Sequence, residues 1–151
     1  MKTRPKDIGT RAETAVVRAA RVHGFPAADR LTLTGSADRG DVSLCPGVMV
    51  EVKGGDKARR ASEGLVDAWL AETDRERRNA GADVAFLVTQ RAGYGPERAA
   101  LWWAWLRLSD LDGARELATE HAAVGAAVVR LRFVDVLFLL RVHGWGDEVA
   151  S

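Results

Sequence analysis

Valines at positions 48, 50 and 52 alternate with Met49, Glu51 and Lys53, and this two-residue period predicts a strand over Val48 to Lys53 with one apolar and one functional face. Two shorter strands are predicted before it, at about Arg30 to Thr34 and Asp41 to Leu44. Upstream, Ala12, Ala15, Val16, Ala19 and Ala20 recur at the helical period while Arg11, Arg18 and Arg21 gather on the other side, so Thr10 to about Val22 reads as a helix that Gly24 stops. From Asp56 to Asn79 the chain is polar with Leu65, Val66, Trp69 and Leu70 on one side, and Gly81 follows a basic last turn, as helix ends prefer. Asp83 to Thr89 predicts a buried strand. Leu101 to Leu108 predicts another, although its aromatic density would also suit a buried helix. A helix to about Ala123, a strand near Ala127 to Phe133 and a very apolar final helix ending near Gly144 complete the reading.

The chain of 151 residues, 47% hydrophobic and 28% charged, suits one domain able to bury a core, and no Pro, Gly or Ser linker divides it. The formal charge of +1 excludes binding of polyanions by global basicity. Local basicity is another matter, since residues 1–30 hold seven bases against three acids. With Cys45 as the one cysteine, neither a disulfide nor a cysteine-bound zinc is expected, and His23, His121 and His143 lack ligand spacing. No leader or membrane span is read: the opening MKTRPKDIGTRAE has charge but no apolar run, and Phe133 to Leu140 is short and interrupted by Asp135. The expected setting is cytoplasmic. A phosphate-cradling GxxxxGK[ST] loop is missing, so no nucleotide cofactor is expected.

Chemistry concentrates between Gly40 and Lys53. If Cys45, Pro46 and Gly47 form a three-residue loop closed by Leu44 opposite Val48, then Val42 faces Val50 and Asp41 faces Glu51. Two carboxylates about 5 Å apart repel unless a cation lies between them. Lys53 projects from the same face, and acid, acid and base around one point suit metal-assisted chemistry on a phosphate. The plainer alternative is that the three line the solvated face of an amphipathic hairpin.

The order Glu13, then Gly40-Asp41, then Glu51-Val52-Lys53 resembles the PD-(D/E)XK nuclease superfamily. Within it, GTRAETAVVRAARVHGF and LTLTGSADRGDV look like the archaeal-type Holliday junction resolvases found also in bacteriophages, and DVAFLVTQRAGYG is similar to the strand after the second helix in phage members. The resemblance covers roughly the first 90 residues. It implies an α/β, restriction-endonuclease-like core of helix, three strands, helix and strand, with a mixed sheet and extra C-terminal strands and helices. Residues from about 95 to 151 would be a family-specific extension or dimerisation part. Asp41 and Glu51 would be ligands of Mg²⁺, with Mn²⁺ as an alternative, Lys53 would position the attacking water or stabilise developing charge, and Glu13 would add an acidic ligand. The chain departs from the family at Gly40, where a proline is usual, and in its second helix, which lacks the glutamine of many relatives because Gln90 is the chain's one glutamine. Asp38 competes with Asp41 as the first ligand.

Other residues have two readings each. Thr10 and Glu13 fit a capping box, in which Glu13 serves the helix start instead of a metal. Ser36 or Thr34 would hold a phosphate, or merely shape a turn. Lys57, Arg59 and Arg60, with Arg11, would grip DNA backbone, or form solvated helix turns. Trp102, Trp103 and Trp105 are assigned to core or subunit contact, because few of them alternate with bases along the chain. The function expected is a metal-dependent endonuclease of Holliday junction resolvase type acting in recombination or repair. A repair or restriction-type nuclease on flaps or duplex, or a DNA-binding module without catalysis, would share these features. Two matched cuts imply a homodimer, and the apolar tail helix is expected against a partner, with Leu140 in the contact.

Overall fold

The structure is a computed structural model and describes residues 4–31, 41–111 and 120–150. Helix α1 (Pro5–Val22) is followed by β1 (Asp29–Arg30), β2 (Val42–Cys45), β3 (Val48–Lys53), α2 (Gly55–Arg59), α3 (Glu63–Ala80) and β4 (Val84–Thr89). Next come a 3₁₀ segment (Pro96–Leu101), β5 (Trp103–Arg107), α4 (Ala122–Gly125), β6 (Val128–Arg132) and α5 (Phe133–Val142). The six strands form a mixed α/β sheet in sequence order. Only β3 and β4 pair in parallel, and the other neighbours are antiparallel.

Three expected boundaries move. Helix α1 starts at Pro5, where a fixed φ suits a first turn that needs no N–H. Glu13 is therefore in mid-helix, which removes the capping-box reading. The single helix expected over Asp56 to Asn79 is two, because Ser62 is extended and its hydroxyl accepts the Leu65 amide at 3.2 Å, starting α3 afresh. The hairpin loop is also shorter than expected. Cys45, not Leu44, faces Val48, and a bulge between Ser43 and Cys45 absorbs the difference, so Val42 still faces Val50. Strand β1 is described only to Arg30, and Thr34, Ser36 and Asp38 lie outside the described residues, as do 112–119 of the helix expected beyond Asp110.

One sheet face packs Val42, Leu44, Val50, Val52, Phe86, Val88, Ala104 and Leu106 with buried residues of α1 and α5. The other packs Leu87 against Val66, Trp69 and Leu70 of α3. Helix α5 departs from expectation, because Phe133, Val136, Leu137 and Leu140 bury into this chain's own core while Phe138, Leu139 and Val142 face outward. Its apolar circumference is thus shared between an internal face and an external one. Among the described residues no helix is long and apolar enough to cross a membrane.

Helix α1 approaches the sheet at Gly54, where an added Cβ would stand 2.5 Å from the Cβ of buried Ala12. Neither atom has room to yield, since one belongs to a packed helix and the other to the end of β3. Gly54→Ala should therefore cost about 1–3 kcal/mol through overpacking. In a chain of this size that lowers Tm by several degrees, at about 2–4 °C per kcal/mol, which thermal and urea unfolding would measure.

Candidate metal centre

The register that sets Val42 opposite Val50 brings the Asp41 and Glu51 side chains to one sheet face at the C-terminal end of β3. Glu51 is 3% exposed, so its charge is largely removed from water. Its Oε1 pairs with Lys53 Nζ at 3.0 Å, and among the described residues its Oε2 is buried without a hydrogen-bond partner. A buried carboxylate oxygen without a donor is costly in a low-dielectric setting, and a cation would relieve it. Asp41 Oδ2 accepts the Val52 amide at 2.8 Å, which fixes the carboxylate beside Glu51. Burial, then Glu51, then Glu13 push the Asp41 pKa up to about 8, against the opposing Val52 hydrogen bond.

Lys53 lies among acids. Besides Glu51 it meets Glu72 of α3 at 3.4 Å and stands 5.8 Å from the centre of the Trp69 ring. Burial pulls its pKa down, but Glu51, Glu72 and Asp41 outweigh burial and leave the ammonium above its ordinary value. Lys53 is thus a fixed cation and not a base. Ligand oxygens of Glu51, Glu72 and buried Glu76 lie within 4.8 Å of one another and could hold a metal ion, and an all-oxygen donor set suits a hard divalent cation.

Glu72 and Glu76 were not anticipated from the sequence, though a signal existed. The buried stripe Val66, Trp69, Leu70 and Thr73 continues at helical spacing to Glu76, and an acid at a core position demands a partner. Glu13 is drawn elsewhere. It accepts from Arg30 Nε at 2.8 Å, so it acts on the Asp41 charge from beyond the tight carboxylate group.

A groove of about 940 Å³ runs past Glu13, Asp41, Glu51 and Lys53, while Glu72 and Glu76 do not line it. Arg11, Glu13, Asp41, Glu51, Lys53, Lys57, Arg59 and Gln90 all line it. Lys57 and Arg11 are exposed at its rim, whereas Arg59 is already paired with Asp56. Arg60, at the end of α2, is exposed but does not line the groove. Gln90 contributes from the residue after β4 instead of the second helix, its Oε1 accepting the Gly55 amide at 2.9 Å and fixing the turn after Lys53. A larger concavity, about 1060 Å³, between α3 and α5 contains none of the predicted site residues. Two of its arginines, Arg77 and Arg78, pair with Asp74.

The tryptophans divide. Trp102 is core, while Trp103 and Trp105 are half-buried on the sheet face, surrounded by arginines from other segments.

No protein-family model, curated protein or solved structure matches the chain.

The raised Asp41 pKa fixes a sign for stability. In excess chelator the folded state holds the Asp41 proton up to about pH 8, whereas the unfolded chain releases it near 3.8. The Asp41 contribution to stability is therefore full below about pH 4 and is lost as pH rises toward 8, at up to about 1.4 kcal/mol per pH unit. Asp41→Asn, which keeps an acceptor for Val52 and sets no charge against Glu13 or Glu51, should flatten that slope and exceed the parent in Tm at pH 8. A slope unchanged by the substitution would refute this account.

Proposed function

We propose that this chain is a Mg²⁺-dependent DNA endonuclease of the PD-(D/E)XK type, acting on branched DNA in the manner of a Holliday junction resolvase. The observation that supports it most is the convergence of Asp41, Glu51 and Lys53 on one sheet face, in a groove rimmed by Arg11 and Lys57. The order of elements from α1 to β4 agrees with the core that the sequence resemblance implies.

Glu51 would hold the ion, with Asp41 beside it on the hairpin and Glu72 and Glu76 on the α3 side. A bound divalent cation supplies charge neutralisation at the phosphate and a more acidic water. Lys53, kept protonated by its acidic neighbours, donates to the phosphate oxygens as negative charge accumulates on them. Arg11 and Lys57 attract flanking phosphates and hold the scissile one over the acids. Hydrolysis then joins the water oxygen to phosphorus and breaks the bond to one sugar oxygen; the water gives up a proton to solvent and the departing sugar oxygen takes one up to become a hydroxyl.

A four-way junction needs two matched cuts, and the described residues of one chain carry one such cluster, so the reading includes a two-fold homodimer. The outward side chains Phe138 and Val142 of α5, 53% and 56% exposed, are the proposed contact. Leu140 is replaced in that role because it belongs to the chain's own core.

Incubation of the protein with a synthetic four-way junction, a flap and a linear duplex tests the chemistry. Cleavage should require Mg²⁺ or Mn²⁺, stop in chelator, and fall at least about 100-fold in Glu51→Gln and Lys53→Ala. Paired symmetric nicks support the resolvase reading, and preference for flaps or duplex supports a repair or restriction-type nuclease. Binding without cleavage under any divalent ion would leave a DNA-binding module. Light scattering should give a dimer for the parent and a monomer for Phe138→Glu, and a parent monomeric on the junction would rule the dimer out.

A further inference from the structure

Beyond the groove, the sheet carries a face that the proposed chemistry does not use. The pairing places Lys53, Thr89, Trp103 and Arg132 in one row across four strands, and Glu51, Leu87, Trp105 and Arg130 in the next. Residues paired in this way point to the same side, so Trp103 and Arg130 share the face of Glu51 and Lys53, two and three strands away at about 4.8 Å per strand. Helix α3 covers this face at Leu87 and reaches Trp105. Toward β6 the face remains accessible, and Arg130 is exposed.

Aromatic rings hold the arginines there. The Arg91 guanidinium lies 4.2 Å from the Tyr94 ring and 4.0 Å from the Trp103 ring, Arg130 lies 4.0 Å from Trp103, and Arg98 lies 4.3 Å from Tyr94. Trp105 Nε1 donates to Thr89 Oγ1 at 2.9 Å, which fixes the second ring. Among the described residues no carboxylate forms an ion pair with Arg91, Arg98 or Arg130. Arg4, Arg59, Arg77 and Arg132, by contrast, each meet an aspartate three residues away. Stacking on a ring fixes the guanidinium plane without cancelling its charge; Arg91 also donates from Nη1 to the Leu101 carbonyl at 3.3 Å, and the remaining N–H groups stay available. Both bonding capacity and positive charge then face outward at low entropic cost, which is what a row of phosphates requires. Gln90 and Pro96 line the groove in the same segment that carries Arg91, Tyr94 and Arg98, so the two surfaces are neighbours along the chain.

We propose that this arginine and aromatic face docks the sugar-phosphate backbone of a duplex DNA arm leaving the groove. The rings act as supports for arginines and not as platforms for bases, because guanidinium groups already occupy Trp103. The inference rests on the nucleic-acid reading given above and extends it to a second, sequence-independent contact.

Fluorescence anisotropy with a labelled duplex in chelator, over a series of salt concentrations, tests it. Arg91→Gln/Arg130→Gln should raise Kd about tenfold or more and reduce the slope of log Kd against log salt by about 2. Arg75→Gln/Arg78→Gln, which removes the same charge from the far end of α3, should leave both nearly unchanged. Arg130→Gln alone, at an exposed position, should show about half the slope change and covers the case in which the double variant misfolds. A lower Tm with parental Kd and slope would make the arginines mere packing and overturn the proposal. So would equal effects from the two double variants. A parent that binds duplex and never cuts it overturns the nuclease reading and leaves this one standing, while a parent that binds no DNA overturns both.

Discussion

Two carboxylates, Asp41 and Glu51, are forced together by the register of one hairpin, and the surroundings are arranged around that repulsion. The valine pair at 42 and 50 must face the core, and a slip of one residue would turn every valine of β3 outward. With the apolar face fixed, the acids have nowhere else to point. Lys53 follows from the same alternation, because it is two residues along the strand from Glu51. The bulge before Cys45 matters for the same reason, since it lets the turn close over Pro46 and Gly47 without shifting the register at the acids.

The hairpin and the grouping of Asp41, Glu51 and Lys53 on one face were legible because both follow from a period-two pattern that local sequence carries. Helix α1 is legible for similar reasons, though its first turn is not, because the apolar period begins at Ala12 while the helix opens at Pro5. The break before α3 had a visible signal in Ser62, but the polar run around it looked like continuous helix. What could not be read were contacts made across strands. Arg30 reaching Glu13, Glu72 reaching Lys53 and the arginines around Trp103 all join residues far apart in the chain. Trp103 and Trp105 have few basic neighbours along the chain, and it is pairing with β6 that supplies Arg130.

A formal charge of +1 thus conceals a segregated surface. Acids cluster with Lys53 at the floor of the groove, while Arg11 and Lys57 stand at its rim and Arg91, Arg98 and Arg130 extend beyond it. A polyanion approaching such a surface meets attraction at the periphery and repulsion at the centre, and a divalent cation at the centre removes the second. Positioning and chemistry are assigned to different charges.

The parallel pairing of β3 with β4 also dictates an order of assembly. The β2–β3 hairpin needs only the turn at Pro46 and Gly47, and hairpins close in about 1–10 μs, whereas β4 reaches β3 only after residues 54–83 have folded back over the sheet. During that interval the valine-rich strand has one open edge, and its neighbour in space is any other nascent copy in the same condition. The crossover helices that deliver Glu72 to the site are therefore also what shields β3 from aggregation, and a defect in them would show first as insoluble protein.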